Sequence, residues 1–139
     1  MSKLIATVKN IESVDELNIV TFVCNGETLK MMSLDLNETI QIGKRVVLAC
    51  KPTSVALAKP TMDYKAFSEM LSYANQIKVK ISSMDVGVLL SSIKLQFGDS
   101  SLESILTSAS VERMKLNEND DLLALIKANE LSIQEVLND

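Results

Sequence analysis

The sequence predicts an all-β protein: two tandem OB-like small β-barrels joined by a short helical linker. Three observations lead there. Apolar residues recur with period two in short strings. The second half of the chain repeats the first, string by string. Residues that tolerate positive φ, such as Asn25-Gly26, separate the strings and mark tight turns. The chain has 139 residues, 47% of them hydrophobic, which is enough apolar mass for a packed core. Aromatic residues make up only 4% and Trp is absent, so that core must be built from Val, Ile, Leu and Met.

The first string, residues 4–9, aligns with residues 77–82, and residues 20–26 align with 93–99. Asn25-Gly26 and Gly98-Asp99 close hairpins, and a further strand follows each, over 27–33 and 100–107. Gly43-Lys44-Arg45 and Asn119-Asp120-Asp121 occupy the next turn. Residues 46–57 and 122–133 then share one plan: an apolar strand ending in Lys51 or Lys127, three loop residues, and a second short strand. The second copy is slightly longer around Ser110-Val111-Glu112-Arg113-Met114, where Ser110 is read as the N-cap of a short helical turn. Each unit thus reads as five short strands with a helical turn before the fourth, for which a partly open Greek-key barrel is the natural closure.

The boundaries that follow are 1–59 for the first barrel, 60–71 for the linker and 72–139 for the second barrel. In the linker Pro60 breaks the strand before it and Asp63 caps a helix with Tyr64, Phe67 and Leu71 on one face. Units this small bury too little surface to be comfortable alone, so a homo-oligomer, dimer or trimer, is expected.

Composition excludes several functions. There is no His, which removes the commonest general base and metal ligand, and no nucleophile–base pair or carboxylate pair can be assembled from the spacing. Neither a catalytic cofactor nor a bound metal ion is expected. The balance of 14 basic against 18 acidic residues gives −4, and it is uneven: residues 1–59 carry seven and six (+1), residues 60–139 seven and twelve (−5). That disfavours nucleic acid as a partner, as do Phe22 and Phe97, which alternate in phase with the core. The N-terminus resembles no signal peptide and no run is long enough to span a membrane, so a cytoplasmic protein is expected, with Cys24 and Cys50 as reduced, buried thiols.

Lys51-Pro52-Thr53-Ser54-Val55-Ala56-Leu57-Ala58 resembles the Lys-Ala-Thr-Ser-Val-Met-Leu-Ala ending of the molbindin (Mop) units of the TOBE-domain group. Ser72-Tyr73-Ala74-Asn75-Gln76-Ile77-Lys78 is similar to their Ser-Ala-Arg-Asn-Gln-Leu-Lys opening, and residues 105–112 to their Ile-Thr-x-x-Ser-Val-Glu segment. The resemblance spans both copies. It implies a tandem pair of Mop units that binds molybdate or tungstate, at interfaces between units, for storage, homeostasis or sensing.

A tetrahedral dianion needs donors from several directions, which hydroxyls, backbone N–H groups and ammonium groups supply. The candidates are Lys51, Thr53 and Ser54 in copy one and Ser72, Asn75, Thr107, Ser110 and Lys127 in copy two. Three departures from the family pattern weaken the set. Copy one starts too close to Met1 to carry the opening motif, Ala74 stands where the family has Arg, and Glu130 stands where copy one has Ser54. A carboxylate beside a dianion repels it. Two other readings follow: a regulatory or dimerisation module that has lost anion binding, and, less favoured, an OB-type nucleic-acid binder.

Overall fold

The computed structural model describes residues 2–60 and 63–138; Met1, Asp139 and, within the predicted linker, Thr61 and Met62 lie outside the described residues. The first half contributes β1 (Ser2–Val14), β2 (Leu17–Cys24), β3 (Glu27–Ser33), β4 (Arg45–Cys50) and β5 (Ala56–Ala58). The second contributes β6 (Asn75–Val86), β7 (Leu90–Phe97), β8 (Ser100–Thr107), β9 (Asp121–Ile126) and β10 (Ser132–Val136). All pairings between them are antiparallel, in the order β10-β4-β1-β8-β7-β6-β9-β5, with β2 beside β1 and β3 beside β2.

Period-two patterning decides which face is inside. Along β1, Leu4, Ala6 and Val8 are buried while Lys3, Ile5 and Thr7 are exposed, and in β6 Ile77, Val79 and Ile81 alternate with exposed Lys78 and Lys80. Together with Phe22, Leu48, Ile93, Leu95, Leu102 and Ile126 they form one continuous apolar cluster. Cys24 and Cys50 sit in that cluster as thiols, without a disulfide, and burial pushes the Cys24 thiol up from its ordinary value. Such a thiol is inert.

The repeat extends to local irregularities. β1 bulges between Val8 and Asn10, and β6 between Ile81 and Ser83. At each bulge a turn clips on through two backbone hydrogen bonds: Val8 with Lys44 and Gly43 at 2.9 and 2.8 Å, Ile81 with Asp120 and Asn119 at 3.0 and 2.8 Å. Gly43 and Asn119 both have positive φ, 94° and 71°, which explains the residue types at that turn.

The last strand of each half joins the other half. β5 pairs with β9, Leu57 opposite Ala124, and β10 pairs with β4, Ile133 opposite Leu48. Val55 and Leu131, which lead into these strands, are both buried.

Two helical expectations are corrected. Among the described residues no helix precedes β4: residues 34–44 form turns, organised by the Asn37 side chain, which accepts from the Thr39 N–H at 2.9 Å. In the second half the helix α2 (Ser108–Met114) is capped not by Ser110 but by Thr107, whose hydroxyl accepts from the Ser110 N–H at 3.2 Å. Thr107 is the last residue of β8 and already extended (φ −65°, ψ 143°), the conformation a cap requires. Between β5 and β6 runs a six-residue helix, α1 (Tyr64–Glu69), whose first turn is capped by Asp63 accepting from the Ala66 N–H at 3.0 Å. Leu71 falls beyond its end.

The two hairpins touch at Gly98. Asn25 donates to the Phe97 carbonyl at 2.9 Å, and a Cβ on Gly98 would lie 2.8 Å from the Asn25 Cγ, at a φ of +57°. Gly98→Ala is therefore expected to cost about 1–2 kcal/mol, read as a lowered urea midpoint, whereas Gly26→Ala, with open space around it, costs less. Equal midpoints for the two variants would remove the Asn25 contact from the explanation.

Candidate functional site

Leaving β4, the chain passes from buried Cys50 to exposed Lys51 in an extended conformation (φ −71°, ψ 139°). Pro52, with its φ preset, starts a 3₁₀ turn over Pro52–Ser54 that closes through Ser54 N–H to the Lys51 carbonyl at 2.8 Å. Thr53 is exposed and Ser54 half-buried. Lys127 repeats this geometry (φ −71°, ψ 150°) before Ala128–Glu130, where the Glu130 N–H reaches the Lys127 carbonyl at 3.0 Å. The turn after Lys51 is anchored on the second half, since the Val55 carbonyl accepts from the buried Ser104 hydroxyl of β8 at 2.6 Å.

The two turns meet. The Ser54 hydroxyl donates to the Glu130 carboxylate (Oε2) at 2.9 Å. Lys51 and Glu130, with Ser132 and Gln134, line one cleft of about 470 Å³. A hydroxyl donor of the candidate set is thus already engaged by an anion, and that anion belongs to the chain. The mismatch at Glu130 was visible in the sequence; its contact with Ser54 was not.

Ser72 is exposed ahead of β6, whose first residue, Asn75, stands opposite Ile126, the residue before Lys127. Asn75 itself is fully buried. Its Oδ1 accepts from the Lys30 N–H at 2.7 Å and its Nδ2 donates to the Lys30 carbonyl at 2.9 Å. The amide fastens β6 to β3, the end of the β1-β2-β3 branch, as a neighbouring strand's peptide would.

Thr107 and Ser110 form a separate group. The Thr107 hydroxyl donates to the Ser110 Oγ at 2.8 Å, which also accepts from Arg113 Nη2 at 3.1 Å. Arg113 was not singled out by sequence reasoning, although the spacing of three between Thr107, Ser110 and Arg113 puts them on one helical face. Thr107 lies three residues along β8 from Ser104, roughly 10 Å at strand rise. Among the described residues no hydrogen bond joins this group to the Lys51 or Lys127 turn. The structure therefore brings the Lys51 turn to Glu130 and sets Asn75 opposite the residue before Lys127, and leaves Thr107 and Ser110 apart.

A cleft of about 550 Å³ beside α1 is lined by Pro60, Tyr64, Lys78, Lys80 and Leu123. Its lysines are occupied: Lys78 stacks over Tyr64, 5.1 Å from the ring centroid, and Lys80 pairs with Asp121 at 3.3 Å. Phe22 and Phe97 are buried in the core, so they offer no stacking platform for bases. Among the described residues there is no cluster of three or more potential metal ligands, and no helix is long and apolar enough to cross a membrane.

No family model matches the chain, and no curated protein matches it in sequence. A solved structure of the cytoplasmic molybdate-binding protein ModG, in a form with molybdate bound, is similar over 94% of this chain and 93% of that one, at a TM-score of 0.81 and 20% sequence identity. The two chains share one fold. Because the match covers nearly all of both, it takes in both halves of this chain.

Proposed function

We propose that this chain is a cytoplasmic, non-catalytic oxyanion carrier of the Mop type: two tandem units, 1–59 and 72–139, joined through 60–71, that take up molybdate or tungstate for storage, homeostasis or sensing. The fold shared with molybdate-bound ModG is the observation that carries this reading. Lys51, Thr53 and Ser54 are its principal donors, with Ser72 and Lys127 at the second turn; Asn75 contributes by holding the frame, and Thr107 and Ser110 by a separate polar corner with Arg113. The carrier works as a homo-oligomer, dimer or trimer, with anion sites at interfaces between units.

The test is calorimetric titration of the full chain with molybdate, sulfate serving as the control. Molybdate heat that sulfate does not reproduce is expected, and Lys51→Ala is expected to weaken it tenfold or more by removing a charge-assisted contact. An unchanged affinity in that variant would move the site away from the first turn. The Ser54–Glu130 hydrogen bond favours a second reading, a regulatory module in which the anion position is filled from within. No heat with either anion, at two temperatures, would select it.

A further inference from the structure

One contact of the first half has no counterpart in the second. The turn after Lys51 packs on β8, and the turn after Lys127 packs on β3. Ser104 of β8 stands opposite Ile93, and Met31 of β3 stands opposite Val20. Since residues 20–26 align with 93–99, Ser104 and Met31 hold the same position in the two halves. Both are buried, Ser104 completely. Ser104 has a proton to donate there, and Met31 has none.

That proton goes to the first turn. The Ser104 hydroxyl reaches the Val55 carbonyl at 2.6 Å, and Val55 follows directly on Ser54. Val55 also closes the turn from within, its N–H bonding the Pro52 carbonyl at 3.4 Å, while its side chain is buried. A hydroxyl of the second half therefore fixes the exit of a turn whose entry, Lys51, follows directly on β4. The second turn has only the Met31 thioether at the matching position.

We propose that Ser104 is a positioning residue of the oxyanion site, acting through Val55 to hold Thr53 and Ser54 where a dianion is received. The inference rests on the Mop reading above. A tetrahedral anion is held by several donors at once, and each contributes only when its geometry is right. Ordering a loose turn at the moment of binding costs free energy. A turn fixed at both ends has little left to order. The buried hydroxyl supplies that rigidity without touching the anion and without placing a charge near it. Because the Lys127 turn lacks the bond, Ser104 sets the first turn apart as the better prepared of the two.

Calorimetric titration of the full chain with molybdate tests this. Ser104→Ala is expected to weaken binding by about tenfold, and Ser104→Cys, which fills the space but donates poorly, by nearly as much. A packing role predicts instead that cysteine keeps the wild-type affinity, and that result overturns the proposal. The second readout is a cycle. In a Thr53→Ala, Ser54→Ala background, Ser104→Ala is expected to weaken binding by a much smaller factor, since the hydroxyls it positions are gone. The same factor in both backgrounds overturns the proposal. No molybdate heat from the wild type removes the Mop reading and the proposal with it, whereas wild-type binding with undiminished affinity in Ser104→Ala removes the proposal alone. If Ser104→Ala misfolds, Ser104→Cys with an unchanged far-ultraviolet spectrum decides in its place.

Discussion

Asn75→Ala lowers the stability of the whole protein by about 2–4 kcal/mol, because it strips a buried bridge and leaves two backbone groups of Lys30 without their partner. For a chain of this size that is a drop of roughly 8–15 °C in thermal midpoint. The control is Asn75→Asp. A carboxylate there keeps the acceptor toward the Lys30 N–H but faces the Lys30 carbonyl with no proton to give. Burial raises the pKa of such an acid in the folded state, so the variant is least stable at neutral pH and regains stability as pH falls through that raised value. Calorimetric scans of the three proteins at two pH values decide it. A loss under 0.5 kcal/mol in Asn75→Ala, read against the usual range for surface changes, would mean that β3 is held by its strand pairing alone.

Glu130→Ser raises molybdate affinity at the second turn by tenfold or more, or adds a site to the titration. Two effects act together. The Ser54 hydroxyl is released from the carboxylate it now serves, and a like charge is removed from the path of a dianion. Repulsion between unit charges about 4 Å apart is worth on the order of 1–4 kcal/mol between fully aqueous and surface-like screening, against about 1.4 kcal/mol per decade of affinity. Glu130→Gln separates the two: it removes the charge but keeps a side chain that still reaches Ser54, so its gain is smaller. Weaker binding in Glu130→Ser than in the wild type would make Glu130 a support of the site and not its occupant.

Much of the fold was legible because it is written twice. Strand spacing, the Asn25-Gly26 and Gly98-Asp99 turns and the equivalence of Gly43 with Asn119 all follow from aligning one half with the other. What the alignment could not reveal is which half each closing strand completes. Val55-Ala56-Leu57 and Leu131-Ser132-Ile133 have the same apolar pattern, so either fits either sheet, and only the short path from β4 through the 3₁₀ turn decides for exchange. The α2 cap was displaced for a similar reason. Thr107 and Ser110 are both good caps, and the end of β8, with Thr107 opposite Leu90, selects the earlier one. Among the candidate donors, Lys51 is legible from its place at a strand end and Ser54 from the turn that follows it, but the contact of Ser54 with Glu130 is not. The commitment of Asn75 to Lys30 depends on residues 45 positions apart and leaves no local trace.

The reciprocal closing strands have a kinetic consequence. Residues 2–50 can pair β1 with β2 and β4 early, but the free edge of β4 is covered only when Ser132 reaches Ala49, 83 residues away in the chain. During synthesis the amino-terminal half must therefore wait, open-edged, until Ser132–Val136 has emerged. Contacts of such long range slow the final step, and they bind the two halves into a single unfolding event. Calorimetry should record one transition for the whole chain, and a cut in the linker should yield fragments that fold only when mixed.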